Sequence, residues 1–261
     1  MTAKQQALGF WRGFSALFAA MRGLLAQPRA WPFALVPALV FVLLEGSIVF
    51  AAIELVKPAV SQKLGGGDGF WRELLGDVAA WGAVVITAGL GWIVSAALTP
   101  PISAPALERI VGIVEQELAV PERKQLGVLA EFWCGFRSML LGSAVTLPIV
   151  VALTLVELVF APAAIVTTPL KLVIGALGVA WGLFDYPLTL RGIRARQRLQ
   201  LVKRHAGVVL GFGAAFALVF WLPCCGIVML PVGVVAATRL LWEIERSAPT
   251  GLLGPLPPAG S

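Results

Sequence analysis

The sequence predicts an all-α integral membrane protein with two long transmembrane helices, two shorter helical hairpins and an amphipathic N-terminal helix. Three observations carry that reading. Of 261 residues, 59% are hydrophobic and only 13% charged, whereas a soluble domain carries about 25% charged residues; so few charges do not coat a water-facing surface. The mean hydropathy is +0.89. The apolar stretches are also long enough to span a bilayer, and basic segments separate them.

The net charge of +6 admits nucleic acid, anionic lipid or an anionic substrate as partner. The basic residues lie between apolar segments, which assigns them to lipid head groups and topology, and no nucleic-acid recognition motif is present. Cys134, Cys224 and Cys225 have no metal-ligand spacing with the single His205 and form no disulfide framework. No metal or cofactor is expected. With no nucleophile–base pair and no phosphate loop, neither is enzyme activity.

Residues 1–30 carry Lys4, Arg12, Arg22 and Arg29 and no acid, while Phe10, Phe14, Leu17, Phe18, Met21, Leu24 and Leu25 recur at helical spacing. This is an amphipathic helix, lying on the membrane surface or packed on the cytoplasmic face of the protein itself. Residues 32–56 and 78–98 are the two full spans, since about 20 apolar residues suffice. Between them residues 57–77 form a water-exposed loop with a GGGDG turn.

A Pro-rich break, TPPISAP, follows the second span. Beyond it, apolar periodicity at Leu107, Ile110, Val111 and Val114 predicts a helical extension outside the bilayer. Residues 138–160 are apolar and broken by Pro148, 161–169 make an apolar turn, and 170–184 return as a short helix. A basic block follows with Arg191, Arg194, Arg196, Arg198, Lys203 and Arg204, read as a topology signal and lipid contact. Residues 207–222 and 226–242, joined at LPCCG, complete a single membrane domain over 1–246, and 247–261 form a disordered tail.

All of the 20 basic residues except Lys57, Lys63, Arg72 and Lys171 sort to one side. Positive charge marks the cytoplasm, so both termini are expected there. The two segments of the last hairpin reach roughly 24–26 Å at helical rise, short of a hydrocarbon core of roughly 30 Å. Both short hairpins therefore read either as elements that dip without crossing or as short tilted spans.

Glu45 and Glu157 lie inside apolar segments, where an ionisable group faces a partner or a wet cavity. They read as proton-coupled or gating carboxylates, or as hydrogen-bonded contacts between helices. Glu54 and Asp185 sit nearer segment ends and are more easily hydrated. Arg22, Gly23 and Arg29 bound a Gly-Leu-Leu-Ala-Gln-Pro stretch before the first span, where arginines and helix-end amides suit an oxyanion. Gly9/Gly13, Gly178/Gly182 and Gly207/Gly211 have the spacing that lets helices approach closely.

Several segments, in order and over nearly the whole chain, resemble CysZ-like sulfate permeases and the related etoposide-induced membrane proteins. These are GLLAQPRAWPFALVPALV, TPPISAPALERIVGIVE, FDYPLTLRGIRARQRLQLVKRHAGVVLGFG and WLPCCGIVMLPVGVVAATRLLWE. The resemblance implies a homo-oligomeric permease of the bacterial inner membrane that moves sulfate or a similar inorganic anion inward, feeding cysteine synthesis. Sulfate-carrying members share a Gly-Leu-Arg-Arg-type stretch; here Pro28 is followed by Arg29, Ala30, Trp31 and Pro32. A membrane scaffold or lipid-interacting protein of the same fold is the alternative function.

Overall fold

The computed structural model describes residues 3–64, 70–120, 128–190, 195–220, 222 and 225–247, and no strand occurs among them. The GGGDG stretch, residues 121–127, Pro223 and Cys224 of the LPCCG joint and the tail from 248 lie outside the described residues. The helices are α1 (Ala3–Leu25), α2 (Trp31–Ala51), α3 (Lys57–Leu64), α4 (Phe70–Glu117), α5 (Val128–Val159), α6 (Ala164–Leu190), α7 (Ala195–Arg204), α8 (Ala206–Phe220) and α9 (Cys225–Ser247).

Among the described residues, four helical runs are long and apolar enough to cross a membrane: Pro28–Leu64, Phe70–Glu117, Ala161–Leu190 and Cys225–Arg246. α7 and α8 make a fifth if a pair bent by 96° counts as one span. Leu39, Val42, Leu43, Phe50, Val85 and Ile86 are each more than half exposed. Exposed apolar surface on this scale is unfavourable in water and at rest in lipid. The chain is a multi-pass helical membrane protein.

The chain divides into two compact units, one of Val36–Ser103 and one of Met1–Leu35 with Ala104–Ser261. The first is an antiparallel pairing of α2 with α4. Phe41 meets Trp92 edge-on at 4.7 Å between ring centroids, and Lys57 lies over the Trp81 ring at 4.2 Å. The predicted loop 57–77 is largely helical, with a π-helical turn at Ala52–Val56 leading into α3.

α4 runs unbroken for 48 residues, so the TPPISAP break is corrected. Pro100 and Pro101 remove two backbone donors. A break would leave several backbone groups unpaired in lipid, which is worse than two missing bonds. The adjoining turns are reinforced by hydroxyls: Thr99 Oγ1 donates to the Ser95 carbonyl at 2.7 Å and Ser103 Oγ to the Thr99 carbonyl at 2.6 Å. Pro148 likewise lies within α5, and Pro169 and Pro187 within α6.

The second unit is built around α8. Phe212 and Phe216 are fully buried, and the tilted rings of Phe184, Phe212 and Phe216 follow one another with centroids 5.0 Å apart. Glycines bring the backbones together: a methyl on Gly211 would fall 2.7 Å from the Phe10 carbonyl carbon of α1, and one on Gly213 2.7 Å from that of Ala176 on α6. Val234, Val235 and Leu241 of α9 fill the same core. Leu107, Ile110, Val111 and Val114 also join it, all fully buried, so the periodicity of that stretch marks a core face.

α1 has two apolar faces. Ala16, Leu17, Ala20 and Leu24 are buried, while Leu8, Trp11, Phe18, Met21 and Leu25 are exposed. The helix is therefore packed on the protein and apolar outward as well. α7 also departs from expectation. Its Arg198 pairs with Asp185 of α6 and donates to Thr189 Oγ1 at 3.0 Å, and both charged side chains are almost buried. Arg198 and Asp185 thus form an internal tie, which corrects the reading of the one as a lipid contact and the other as hydrated. The side chains of Arg191, Arg194 and Arg196 lie outside the described residues.

The α5–α6 hairpin is longer than expected. α6 has 27 residues, roughly 40 Å at helical rise, so its length no longer argues for dipping. In the last hairpin the shortness holds for α8, at 15 residues, but is corrected for α9, whose 23 residues are long enough to cross. The turn of the α5–α6 hairpin is only a 3₁₀ turn at Ala161–Ala163. It closes its own backbone bonds, Phe160 N–H to Val156 O and Ala163 N–H to Phe160 O, both 2.9 Å. Leu158, Val159, Phe160, Ile165 and Val166 crown it, all strongly exposed.

Candidate functional site

The chain leaves α1 through a tight corner. Ala26 N–H bonds to Arg22 O at 3.0 Å and Gln27 N–H to Leu24 O at 3.1 Å. Pro28 then opens a 3₁₀ turn, Pro28–Ala30, at a position where its missing donor does no harm. Ala30 N–H closes on Gln27 O at 3.0 Å, and Trp31 N–H on Pro28 O. The Trp31 indole Nε1 donates to the Leu24 carbonyl at 3.1 Å, capping the helix end. Trp31 thus serves as a brace of this corner.

Gly23 makes the corner a seat for a guanidinium. Arg239 of α9 lies so close that a methyl on Gly23 would fall 2.7 Å from its Cζ. Arg239 Nη2 donates to Glu117 Oε2 at 2.9 Å and to Oε1 at 3.2 Å. Gln27 Nε2 donates to the same Glu117 Oε2. The Arg239 Nε and Gln27 Oε1 atoms are both buried without a hydrogen-bond partner.

Glu117 is held there by the end of its helix. Val120 N–H bonds to Glu115 O at 2.9 Å and Ala119 N–H to Gln116 O at 3.1 Å. With Ala119 at φ 53°, this is a Schellman stop formed on a non-glycine residue. The backbone of α4 therefore turns away immediately after presenting Glu117 to Arg239.

Of the residues read as an anion seat, Gly23 carries the contact with Arg239, whereas Arg22 and Arg29 are exposed at either side of the corner. Neither Arg22 nor Arg29 enters an ion pair among the described residues. The partners Arg239, Glu117 and Gln27 were not singled out in the sequence. Their signal was faint: one arginine within AATRLLW, and one amide before a proline.

The two intramembrane acids lie elsewhere, each with its own partners. Glu45 accepts from Ser95 Oγ at 3.0 Å, beside Gly91, where a methyl would stand 3.4 Å from its carboxylate. Glu157 meets Lys171 Nζ at 2.5 Å across the α5–α6 hairpin and accepts from Thr167 and from Thr168 Oγ1, the latter at 3.3 Å. Lys171, counted by sequence as an outer basic residue, is thus the counter-ion of Glu157. His205 sits at the α7–α8 bend; burial and then the neighbouring Arg204 hold its imidazole below the ordinary range. No cluster suited to a metal ion occurs among the described residues.

The model of the EI24 family, described as sulfate transporter CysZ/etoposide-induced protein 2.4, matches residues 16–231. No curated protein matches the chain.

Proposed function

Because the chain belongs to the sulfate transporter CysZ/etoposide-induced protein 2.4 family, we propose that it is a permease for sulfate or a similar inorganic oxyanion. It sits in a bacterial inner membrane with both termini in the cytoplasm and works as a homo-oligomer. The observation that carries this reading is the corner after α1. Two exposed guanidiniums, Arg22 and Arg29, flank a glycine-lined bend into which a third, Arg239, is packed. Arginines suit tetrahedral oxyanions because their planar donor forks match two oxygens at once. Four backbone amides of the corner are used to hold its shape, which leaves recognition to the side chains.

Sulfate uptake into proteoliposomes tests the reading. Uptake above that of empty liposomes is expected. A charge-assisted bond is worth roughly 1.5–3 kcal/mol, so Arg29→Ala should cut uptake roughly tenfold or more. Unchanged uptake would remove Arg29 from the site.

A second reading is a membrane scaffold or lipid-interacting protein without transport. Trp31 favours it, since this indole braces the corner at a position where sulfate-carrying relatives show arginine. Folded protein that gives no uptake for any oxyanion would decide for the scaffold.

A further inference from the structure

We propose that Glu117 is a tethered anion: it occupies the Arg239 guanidinium at the Gly23 corner, and an oxyanion binds there by displacing it. The proposal rests on the permease reading and adds to it a regulator and a third arginine.

Three features of the cluster lead to it. The first is the half-used guanidinium. Arginine offers five N–H donors in a fixed plane, and its Nε–H and Nη2–H form a fork matched to two oxygens of one anion. Glu117 places both carboxylate oxygens on Nη2, at 2.9 and 3.2 Å, and leaves Nε buried without an acceptor. A buried N–H without a partner is unfavourable. A tetrahedral oxyanion taking both prongs of the fork satisfies it.

The second is the ease with which Glu117 leaves. Its side chain is 46% exposed, so the pair is screened by water and contributes little to stability. It also terminates α4, where the negative end of the helix dipole disfavours a carboxylate. The guanidinium stays behind, since it is 26% exposed and pressed on the backbone at Gly23.

The third is a shared donor. Gln27 Nε2 donates to Glu117, and when the carboxylate swings out the same amide faces the incoming oxygens. Arg239 Nε, Arg239 Nη2 and Gln27 Nε2 then hold the ligand in place of the side chain. Arg22 and Arg29, exposed and without an ion pair among the described residues, raise the local concentration of anions around the corner.

Purified full-length protein in detergent, titrated with sodium sulfate against sodium chloride of equal ionic strength and read as thermal stabilisation, tests this. Glu117→Gln keeps a carbonyl for Arg239 and removes the competing charge. It should half-saturate at a sulfate concentration at least roughly fivefold lower than wild type, the loss of a pair worth about 1 kcal/mol. Arg239→Gln and the double variant should lose the response. A Glu117→Gln response where wild type shows none also supports the proposal. Wild-type response with no tightening in Glu117→Gln overturns it and leaves the permease reading standing. No response to sulfate in either protein overturns both. If Glu117→Gln does not fold, Glu117→Asp, whose carboxylate falls short of Arg239, takes its place: tighter binding supports the tethered anion and unchanged binding overturns it.

Discussion

Gly13 on α1 and Gly211 on α8 bring two backbones into direct contact. A methyl on Gly13 would fall 2.7 Å from the Phe212 nitrogen, and one on Gly211 2.7 Å from the Phe10 carbonyl carbon. α1, which by composition is a surface helix, is thereby a packed member of the bundle. In lipid the gain of such a crossing is close van der Waals contact, because apolar side chains are equally at home against acyl chains.

Gly211→Ala should therefore destabilise the protein by about 1–3 kcal/mol, the range for overpacking. Gly112→Ala is the contrast: nothing stands within 4 Å of its added methyl, and a helical Gly→Ala change gains up to about 1 kcal/mol. Thermal unfolding in detergent should move in opposite directions for the two. Equal shifts would show that the α1–α8 crossing is not packed this way.

At Ala119 the backbone itself is the target. Its φ of 53° places an L side chain in the left-handed region, at a cost of about 1–2 kcal/mol. Glycine has no such penalty but loses more freedom on folding, so Ala119→Gly should stabilise by about 0.5–1 kcal/mol. Ala119→Val should do the reverse, since a branched Cβ is poorly tolerated there. A stabilised Val variant would mean that α4 does not end in a left-handed turn.

Much of the architecture was legible in the residues. Apolar length located α2, α4, α8 and α9, and periodicity at Leu107, Ile110, Val111 and Val114 correctly marked a helix. The errors cluster at proline. Pro100, Pro101, Pro148 and Pro169 read as stops because proline breaks helices in water, but in lipid a helix lacking one donor is better than free backbone. The candidate site was half legible. Arg22, Gly23 and Arg29 are contiguous enough to be seen, whereas Glu117 and Arg239 are 122 residues apart and only the fold joins them. Lys171 is a similar case: charge counting sees its sign, not its partner Glu157 across the hairpin.

That hairpin pair has a specific signature. Lys171→Met leaves the Glu157 carboxylate without its cation among Thr167 and Thr168, in an element whose turn is wholly apolar. Removing one member of a shielded pair is worse than removing both. Lys171→Met should therefore lower the unfolding temperature, and adding Glu157→Gln should restore most of the loss. If the double variant is as unstable as the two single losses summed, the pair is not coupled.

His205 makes stability depend on pH with a defined sign. It sits at the 96° bend between α7 and α8, its Nε2 buried without an acceptor. Burial, and then the charge of Arg204, keep its folded value below the ordinary one, about 6.5 in an unfolded chain. Between the two values the unfolded chain binds more protons, so stability rises with pH across that window. As pH falls below about 6.5, stability is progressively lost until the folded value is passed. Unfolding temperatures at pH 5.5 and 7.5 should differ more in wild type than in His205→Gln, which does not titrate. The bend is the element that feels the change, since an imidazolium at Nε2 has a proton to donate and no acceptor to receive it. A wild-type profile that is flat, or that rises on acidification by more than that of His205→Gln, would contradict a buried neutral imidazole at this bend.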